Sequence, residues 1–313
     1  MTLSENMRQK LICPSTKDKL LTQSNYLENV ANRMIRYPVV NEIPILIANE
    51  KSLFEIENFC NKENTTFDLT QSRLKTILLR LLPSISANIK SEQNYEKICS
   101  MLPKNSKILI VGGSIKGEGM DVIYTNPTYE IIGSDVSFGP YTDVICDAHD
   151  IPFDDEVFDC VILQAVLEHV VDPIRCVAEA YRILKPSGLV YAETPFIQQV
   201  HMKQYDFTRF THLGHRRLFN HFEEVDSGPC SGPGMALAWS YSHFLKSFAS
   251  SKTMYLALTY IAHMTSFFLK YFDYFLIDSP GSYDAASGIY FMGTKSNNII
   301  ADKDIITQFK GMK

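Results

Sequence analysis

The fold turns on Asp147–Phe196, "DAHDIPFDDEVFDCVILQAVLEHVVDPIRCVAEAYRILKPSGLVYAETPF". Its run "FDCVILQAV" (158–166) is near-continuously apolar rather than alternating, as expected of a strand buried on both faces. "DPIRCVAEAYRIL" (172–184) then places apolar residues at helical spacing. Asp172 caps its start, Pro173 occupies its first turn, and Lys185, Pro186 and Gly188 close it. "GLVYAETPF" (188–196) is a second buried strand. Strands of this kind alternating with helices mean a parallel sheet covered on both faces.

The same alternation runs upstream through "KILIVGG" (107–113) and "YEIIGSDV" (129–136). Downstream, "SGIYFMGTK" (287–295) reads as a last strand of the sheet. The pattern predicts an α/β fold with a doubly wound, Rossmann-like, mostly parallel seven-stranded sheet occupying 106–313. Residues 1–50, punctuated by Pro14, Asn25, Pro38 and Pro44, predict a small β-rich module that leans on the rest of the chain for its core. Residues 51–105 predict a helical linker that covers the cofactor. One of its helices carries Leu74, Ile77, Leu78 and Leu81 on one face, a second begins at Ser91, and 61–66 form a polar loop.

Composition narrows the class. The 313 residues are 45% apolar and 21% charged, which excludes wholesale disorder and a coiled coil. A net charge of −5 disfavours a protein built to hold nucleic-acid backbones. The 7 cysteines are scattered without a C-x-x-C pair, so they read as reduced thiols, and no metal ligand set is predicted. The first thirty residues lack an apolar signal core, and a cytoplasmic location is expected.

The first strand delivers Gly112, Gly113, Ser114 and Gly117 into a turn before the next helix, where a nucleotide-like ligand sits in doubly wound sheets. Asp135, followed by Val136, ends the second strand about 20 residues on, the distance at which an acid accepts both ribose hydroxyls. To this point a nicotinamide dehydrogenase and a methyltransferase look alike.

From Asp147 to Phe196 the chain resembles, motif by motif, the class I S-adenosylmethionine-dependent methyltransferases of the type 11-like group. The resemblance implies that Asp147 and Ala148 lie against adenine, with His149 beside them. Ile151-Pro152-Phe153 and Phe158-Asp159 match the turn and strand start, and Leu184-Lys185-Pro186-Ser187-Gly188 the end of the following helix. The run from Gln164 and Ala165 through Glu168-His169 matches the segment that closes over the sulfonium. S-adenosyl-L-methionine is the implied cofactor. One departure is Ile110, which stands where the family usually has the acid that holds the methionine ammonium; Glu118 and Asp121 are the nearby substitutes. The N-terminal unit is similar to the zinc-ribbon-like domain that partners tRNA and translation-factor methyltransferases. It keeps Cys13 but has Ser15-Thr16 and Arg33-Met34 where further cysteines belong, so a metal-free module is expected.

After the fourth strand, "IQQVHMKQYDFTRFTHLGHRRLF" (197–219) leaves the carboxyl edge of the sheet and gathers His201, Tyr205, Asp206, Arg209, His212 and His215. His201 is the candidate base, with Asp206 and Arg209 for positioning. The bland alternative makes Asp206–Arg209 a structural ion pair and His215, Arg216 and Arg217 surface residues. Similar D-x-x-R-[FY]-T runs occur in methyltransferases of surface-polysaccharide and natural-product clusters. That resemblance implies a saccharide or hydroxylated small-molecule acceptor, with lipid-linked precursors of surface polysaccharide included. The insertion 230–287 predicts a helical lid or a homodimer surface, with Gly228–Gly234 as its hinge. Its segment 254–277 is apolar but short of the about 20 residues a membrane span needs, so a peripheral contact with the inner membrane is the sharper alternative. A scaffold that has lost turnover, and a tRNA or protein methyltransferase, are the competing functions.

Overall fold

The computed structural model describes residues 3–61 and 82–312. The helix expected on Leu74, Ile77, Leu78 and Leu81, and all but the first residue of the 61–66 loop, lie outside the described residues. Eleven strands form one sheet: β1 Leu20–Thr22, β2 Tyr26–Asn29, β3 Arg36–Val40, β4 Ile43–Leu46, β5 Lys107–Val111, β6 Glu130–Asp135, β7 Val144–Cys146, β8 Phe158–Gln164, β9 Leu184–Pro195, β10 Phe222–Ser231 and β11 Gly288–Lys295. Their order is β1-β2-β3-β4-β7-β6-β5-β8-β9-β11-β10.

From β7 to β9 neighbours are parallel, while β11 runs antiparallel between β9 and β10. The order reverses at β5, with β6 on one side and β8 on the other, so a crevice opens at the carboxyl end of β5. The strand count exceeds the predicted seven because β4 adds in parallel to β7, pairing Ile45 with Ile145 and Leu46 with Cys146. The first four strands thereby continue the sheet. Cys13, Leu27 and Tyr37 share one buried cluster with Phe153 and Phe158 of the main sheet.

Helix Pro173–Ile183 forms as its caps predict: Asp172 accepts the Arg175 N–H at 3.1 Å and Pro173 fills the first turn. Cys176, Val177, Ala180 and Ile183 face the sheet, and burying Ile183 contributes roughly 1.5–3 kcal/mol. Lys185–Gly188 do not separate helix from strand as a loop. They bulge inside β9, whose register slips between Phe158–Leu184 and Cys160–Leu189, and Ser187 takes a φ of 59° to allow it.

Between β10 and β11 lie helices Pro233–Lys246 and Lys252–Ser266 and three shorter helical segments, Leu269–Phe272, Asp273–Leu276 and Pro280–Ala285. The expected hinge is instead a clamp. Gly228–Ser231 are part of β10, and Gly232 and Gly234 press on Asp273, which accepts the Gly234 and Met235 N–H groups at 2.7 and 2.9 Å. A Cβ on Gly234 would stand 2.2 Å from the Leu269 carbonyl oxygen, so the close approach requires glycine. Among the described residues no helix is long and apolar enough to cross a membrane.

Candidate functional site

At the end of β5 the chain turns on Gly112, whose φ is +71°, and Gly113 donates to the Ser134 carbonyl at 2.9 Å. A Cβ on Gly113 would meet the Ile110 carbonyl oxygen at 2.8 Å, so only glycine makes this turn. Ser114 donates its N–H to Asp135 Oδ2 at 3.0 Å. Gly113 and Ser114 thus hold the turn from beneath and face neither of the two cavities beside it.

The first cavity, about 110 Å³, is bounded by Gly112, Asp135, Val136, Asp147, Ala148 and His149, with Ala165 and Val166 on the opposite wall. Phe54 and Tyr205, stacked at 5.7 Å, roof it. The walls are mostly apolar, with the two carboxylates, Ser134 and the imidazoles of His149 and His169 as polar groups, a lining suited to a flat base and a ribose. Burial pushes the Asp135 carboxyl above its ordinary value, against the N–H bonds from Ser114. Asp147 goes the other way. Burial alone would raise it, but hydrogen bonds from His149 and from Ser52 Oγ (2.5 Å) hold it low. His149 bridges: Nδ1 faces Asp147 Oδ1 at 2.5 Å while Nε2 accepts the Asp172 N–H at 3.0 Å.

The second cavity, about 340 Å³, shares Val111, Gly112 and Ala165 with the first, so the two make one groove across the end of β5. Gly117, Glu118, Gln164 and Glu193 line it with Ser86–Asn88 from the segment before Ser91. Gln164 fits against Gly117, where a Cβ would stand 1.9 Å from its Oε1. Ala165 takes φ 55°, turning the chain off β8. Ile110 is 2% exposed and belongs to the core. The strand registers put Ile110, Ile162 and Tyr191 in one row and Gln164 beside Glu193 in a row nearer the groove. Glu193 accepts from Asn88 Nδ2 (2.7 Å), Gln164 Nε2 (2.9 Å) and Tyr191 OH (2.5 Å), and burial raises its carboxyl. Of the two acids nearest Ile110 in sequence, Glu118 is exposed yet lines the second cavity with Glu193, while Asp121 pairs with Lys116.

A wider cleft of about 670 Å³ adjoins, reached through Gln198 and lined by Gln199, Asp206, Arg209 and His243. Arg209 grips Asp206 with two nitrogens and donates to the Gln198 (2.8 Å), Thr208 (2.8 Å) and Gln199 (3.2 Å) carbonyls. Burial would raise Asp206, but Arg209 and the His201 N–H hold its carboxyl down at about 2. The pair therefore buckles the loop that carries His201. His201 lies against His169 with ring centroids 4.9 Å apart, and both face Glu168. Burial pushes the Glu168 carboxyl up to about 8 and the His169 imidazole down to about 4.

The structure does not bring His212 and His215 to the cleft. His212 Nε2 meets Ser227 Oγ at 2.9 Å and His215 is buried between Phe210 and Phe219. Tyr205 roofs the first cavity instead. Nor is Arg216 a surface residue: it is 3% exposed, paired with Glu224 at 3.2 Å and donating to the Phe219 and Phe222 carbonyls. Ser52, Phe54 and Asn88 belong to the 51–105 segment expected to cover the cofactor, but no local pattern singles them out, and none marks Glu193.

A family model described as a methyltransferase domain matches residues 117–192. An uncharacterized 37.1 kDa protein in transposon TN4556 of Streptomyces fradiae is 41% identical over 49 residues, which span 16% of this chain and 14% of that protein. The fold is similar to that of Haemonchus contortus phosphoethanolamine N-methyltransferase 2 in complex with phosphomonomethylethanolamine and S-adenosylhomocysteine. That likeness has 15% identity and a TM-score of 0.45, covering 66% of this chain and 53% of that one. A methyltransferase from Thermotoga maritima is similar at 17% identity and a TM-score of 0.41, over 72% of this chain and 97% of that one. The family match falls on the segment that builds β6 to β9, and the glycine turn and paired carboxylates fit an adenosyl group. The chain matches a methyltransferase domain over residues 117–192, and S-adenosylmethionine is the cofactor that the match implies.

Proposed function

We propose that the protein transfers the methyl group of S-adenosylmethionine to a hydroxyl oxygen of a small polar acceptor, a saccharide or a similarly hydroxylated molecule. The observation that carries this reading is the continuity of the groove. The cofactor cavity runs past Gly112 and Ala165 into a cleft whose polar wall includes Gln198, Gln199 and His243 beside apolar Phe196, Ile197, Val200 and Phe207, with His201 on the loop behind it. Amides and imidazoles both donate to and accept from hydroxyls. Arg209, the cleft's arginine, is spent on Asp206 and three carbonyls, which favours a neutral acceptor over nucleic acid.

In this reading Asp135 holds the ribose, and Asp147, with Ala148 and His149 beside it, borders the adenine. Gly112, Gly117, Gln164 and Ala165 form the passage to the acceptor, while Gly113 and Ser114 fix the turn. Glu193 supplies the negative charge for the methionine ammonium that Ile110 cannot. A buried carboxylate already held by three donors gains most from a cation beside it. Bound S-adenosylmethionine supplies an electrophilic methyl carbon, so this chain's task is orientation and exclusion of water. Asp206 and Arg209 hold the loop that presents His201, and the acceptor's proton leaves toward the cluster of Glu168, His169 and His201.

The insertion supports an acceptor carried on a lipid. Helix Pro233–Lys246 lends His243 to the cleft, and the neighbouring 254–277 face exposes Tyr260, Met264, Phe272 and Phe275.

The test begins with calorimetry of S-adenosylmethionine and S-adenosylhomocysteine on wild type and Asp135→Ala. Micromolar binding that the variant loses is the expected result, and no binding at millimolar cofactor overturns the enzyme reading in favour of a scaffold. Labelled methyl transfer to free and lipid-linked saccharides then tests the acceptor. Label that enters RNA or protein in preference to saccharides overturns the acceptor class.

A further inference from the structure

Glu168, His169 and His201 come together where β8 and the 197–209 loop meet, and their arrangement is that of a ligand set. Glu168 Oε1 lies 3.6 Å from His169 Nε2 and 3.9 Å from His201 Nε2. One ligand atom from each of the three residues falls within 4.8 Å of the others. Glu168 is 1% exposed, and its Oε2 has no hydrogen-bond partner among the described residues.

The tautomers are set by the neighbours. His169 Nδ1 is 2.7 Å from the Tyr205 carbonyl and His201 Nδ1 is 3.3 Å from the Gln199 carbonyl. A carbonyl oxygen only accepts, so each Nδ1 carries the hydrogen and each Nε2 keeps a lone pair. Both lone pairs face the Glu168 carboxyl. With Glu168 ionised the centre holds acceptors and no donor, so a cation bound there would take the place of the carboxyl proton.

The second layer has the pattern that orients metal-bound histidines, one ring nitrogen inward and the other donating to a backbone carbonyl. Asp206 Oδ2 stands 3.5 Å behind His201 Nδ1, adding a carboxylate. The Phe207 and Thr208 N–H groups bind the Glu168 carbonyl at 2.8 and 3.3 Å, pinning the backbone that carries two of the three residues. Arg209, the nearby cation, is neutralised by Asp206.

We propose that Glu168 Oε1, His169 Nε2 and His201 Nε2 bind a divalent transition-metal ion between the cofactor cavity and the acceptor loop. Bond lengths of about 2.0–2.2 Å put ligand atoms roughly 3–3.5 Å apart, so the 3.6 and 3.9 Å separations from Glu168 close by a fraction of an ångström and the two imidazoles, within 4.8 Å, by a side-chain rotation. Two imidazoles and one carboxylate suit zinc, iron(II), manganese or cobalt over magnesium or calcium. The site borders the cofactor cavity through His169 and the acceptor loop through His201. The ion's role deepens the methyl-transfer reading and rests on it: a coordinated acceptor hydroxyl is held in place and made more acidic, and with His201 a ligand its proton passes to solvent rather than to the imidazole. The ion's presence does not rest on that reading.

The experiment uses the full chain, stripped with chelator and titrated with Zn²⁺ by calorimetry and with Mn²⁺ by electron paramagnetic resonance. One ion per chain is expected, with micromolar or tighter affinity for Zn²⁺. Glu168→Gln and His201→Ala each weaken it at least tenfold, while the exposed-histidine variant His221→Ala does not. S-adenosylhomocysteine titrated into the same samples reports whether the variants keep their fold. A wild type that binds S-adenosylhomocysteine but no metal overturns the metal site and leaves the methyltransferase reading standing. Stoichiometric metal without cofactor binding supports the site and overturns that reading. Metal binding that survives both variants places the ion elsewhere and overturns the site.

Discussion

On the adenosyl side of Gly112, the carboxylates answer to the turns they sit on. Asp135 takes an N–H from Ser114 across one strand, and Asp147 takes one from His149, two residues away. On the acceptor side the partners come from far along the chain. Glu193 is held by Asn88 and Gln164, and Glu168 faces a histidine delivered by a loop that Arg209 buckles. The cradle is thus a property of two strand-to-helix turns, whereas the acceptor wall depends on long-range packing. A polar network of the second kind fails as a unit, and a turn fails one residue at a time.

The largest effect on the groove falls on Asp135. Asp135→Asn keeps an oxygen for the Ser114 N–H but offers the ribose one acceptor in place of a carboxylate. S-adenosylhomocysteine binding weakens by about 1.5–3 kcal/mol, roughly 10–150-fold by calorimetry. Stability moves the opposite way. The Asp135 carboxyl is raised by burial, so its contribution is full below the unfolded value and lost as pH rises through the folded one. The variant, which cannot ionise, therefore melts at a higher temperature than wild type at pH 7, and the gap closes on acidification toward pH 4. A variant that loses both binding and stability breaks the view of Asp135 as a carboxylate kept charged for a ligand.

Glu193 sharpens the contrast. Glu193→Gln weakens S-adenosylmethionine by about tenfold, near 1.4 kcal/mol. It leaves 5′-methylthioadenosine, which lacks the amino-acid part, bound as in wild type. Equal loss for both ligands assigns Glu193 to the packing of Asn88, Gln164 and Tyr191 rather than to an ammonium. Arg209→Lys has a smaller effect. A lysine cannot reproduce the fork that joins Asp206 to three carbonyls, so amide exchange rises across 197–209. S-adenosylhomocysteine affinity drops less than about threefold, since that loop touches the first cavity only through Met202 and Tyr205 and the second only through Gln198. A larger loss makes cradle and loop one cooperative unit.

This asymmetry also explains what was legible in the sequence. The doubly wound sheet is written in uninterrupted apolar runs and in caps such as Asp172-Pro173, which act locally. The residues predicted to cradle the cofactor sit on turns with local signals, and the structure gathers Gly112, Asp135, Val136, Asp147, Ala148, His149 and Ala165 around one cavity. Glu193 was hidden because nothing local distinguishes a buried glutamate in a strand from one at a strand end. Its neighbour Asn88 lies a hundred residues away in sequence. Periodicity could not place His212 and His215 either, since the helix His212–Leu218 turns both into the packing against β10 and its neighbours. The parallel join of β4 to β7 was equally out of reach, because the partner of an edge strand is set by tertiary fit.

The last variant should leave the groove untouched, which is its use. Phe272 and Phe275 are 53% and 86% exposed on the 254–277 face, beside the charged Lys270. An exposed aromatic face binds a bilayer interface through its buried apolar area. Wild type is expected to float with vesicles containing phosphatidylglycerol, while the double variant Phe272→Ser/Phe275→Ser mostly stays behind. Calorimetry of S-adenosylhomocysteine gives the same affinity for both, because neither phenylalanine lines the cofactor cavities. Wild type that fails to float removes the argument for a lipid-linked acceptor and leaves the free saccharide. Flotation that the double variant retains moves the contact to another surface. Loss of cofactor binding in the variant would join the insertion to the cradle, against the division between local turns and long-range packing.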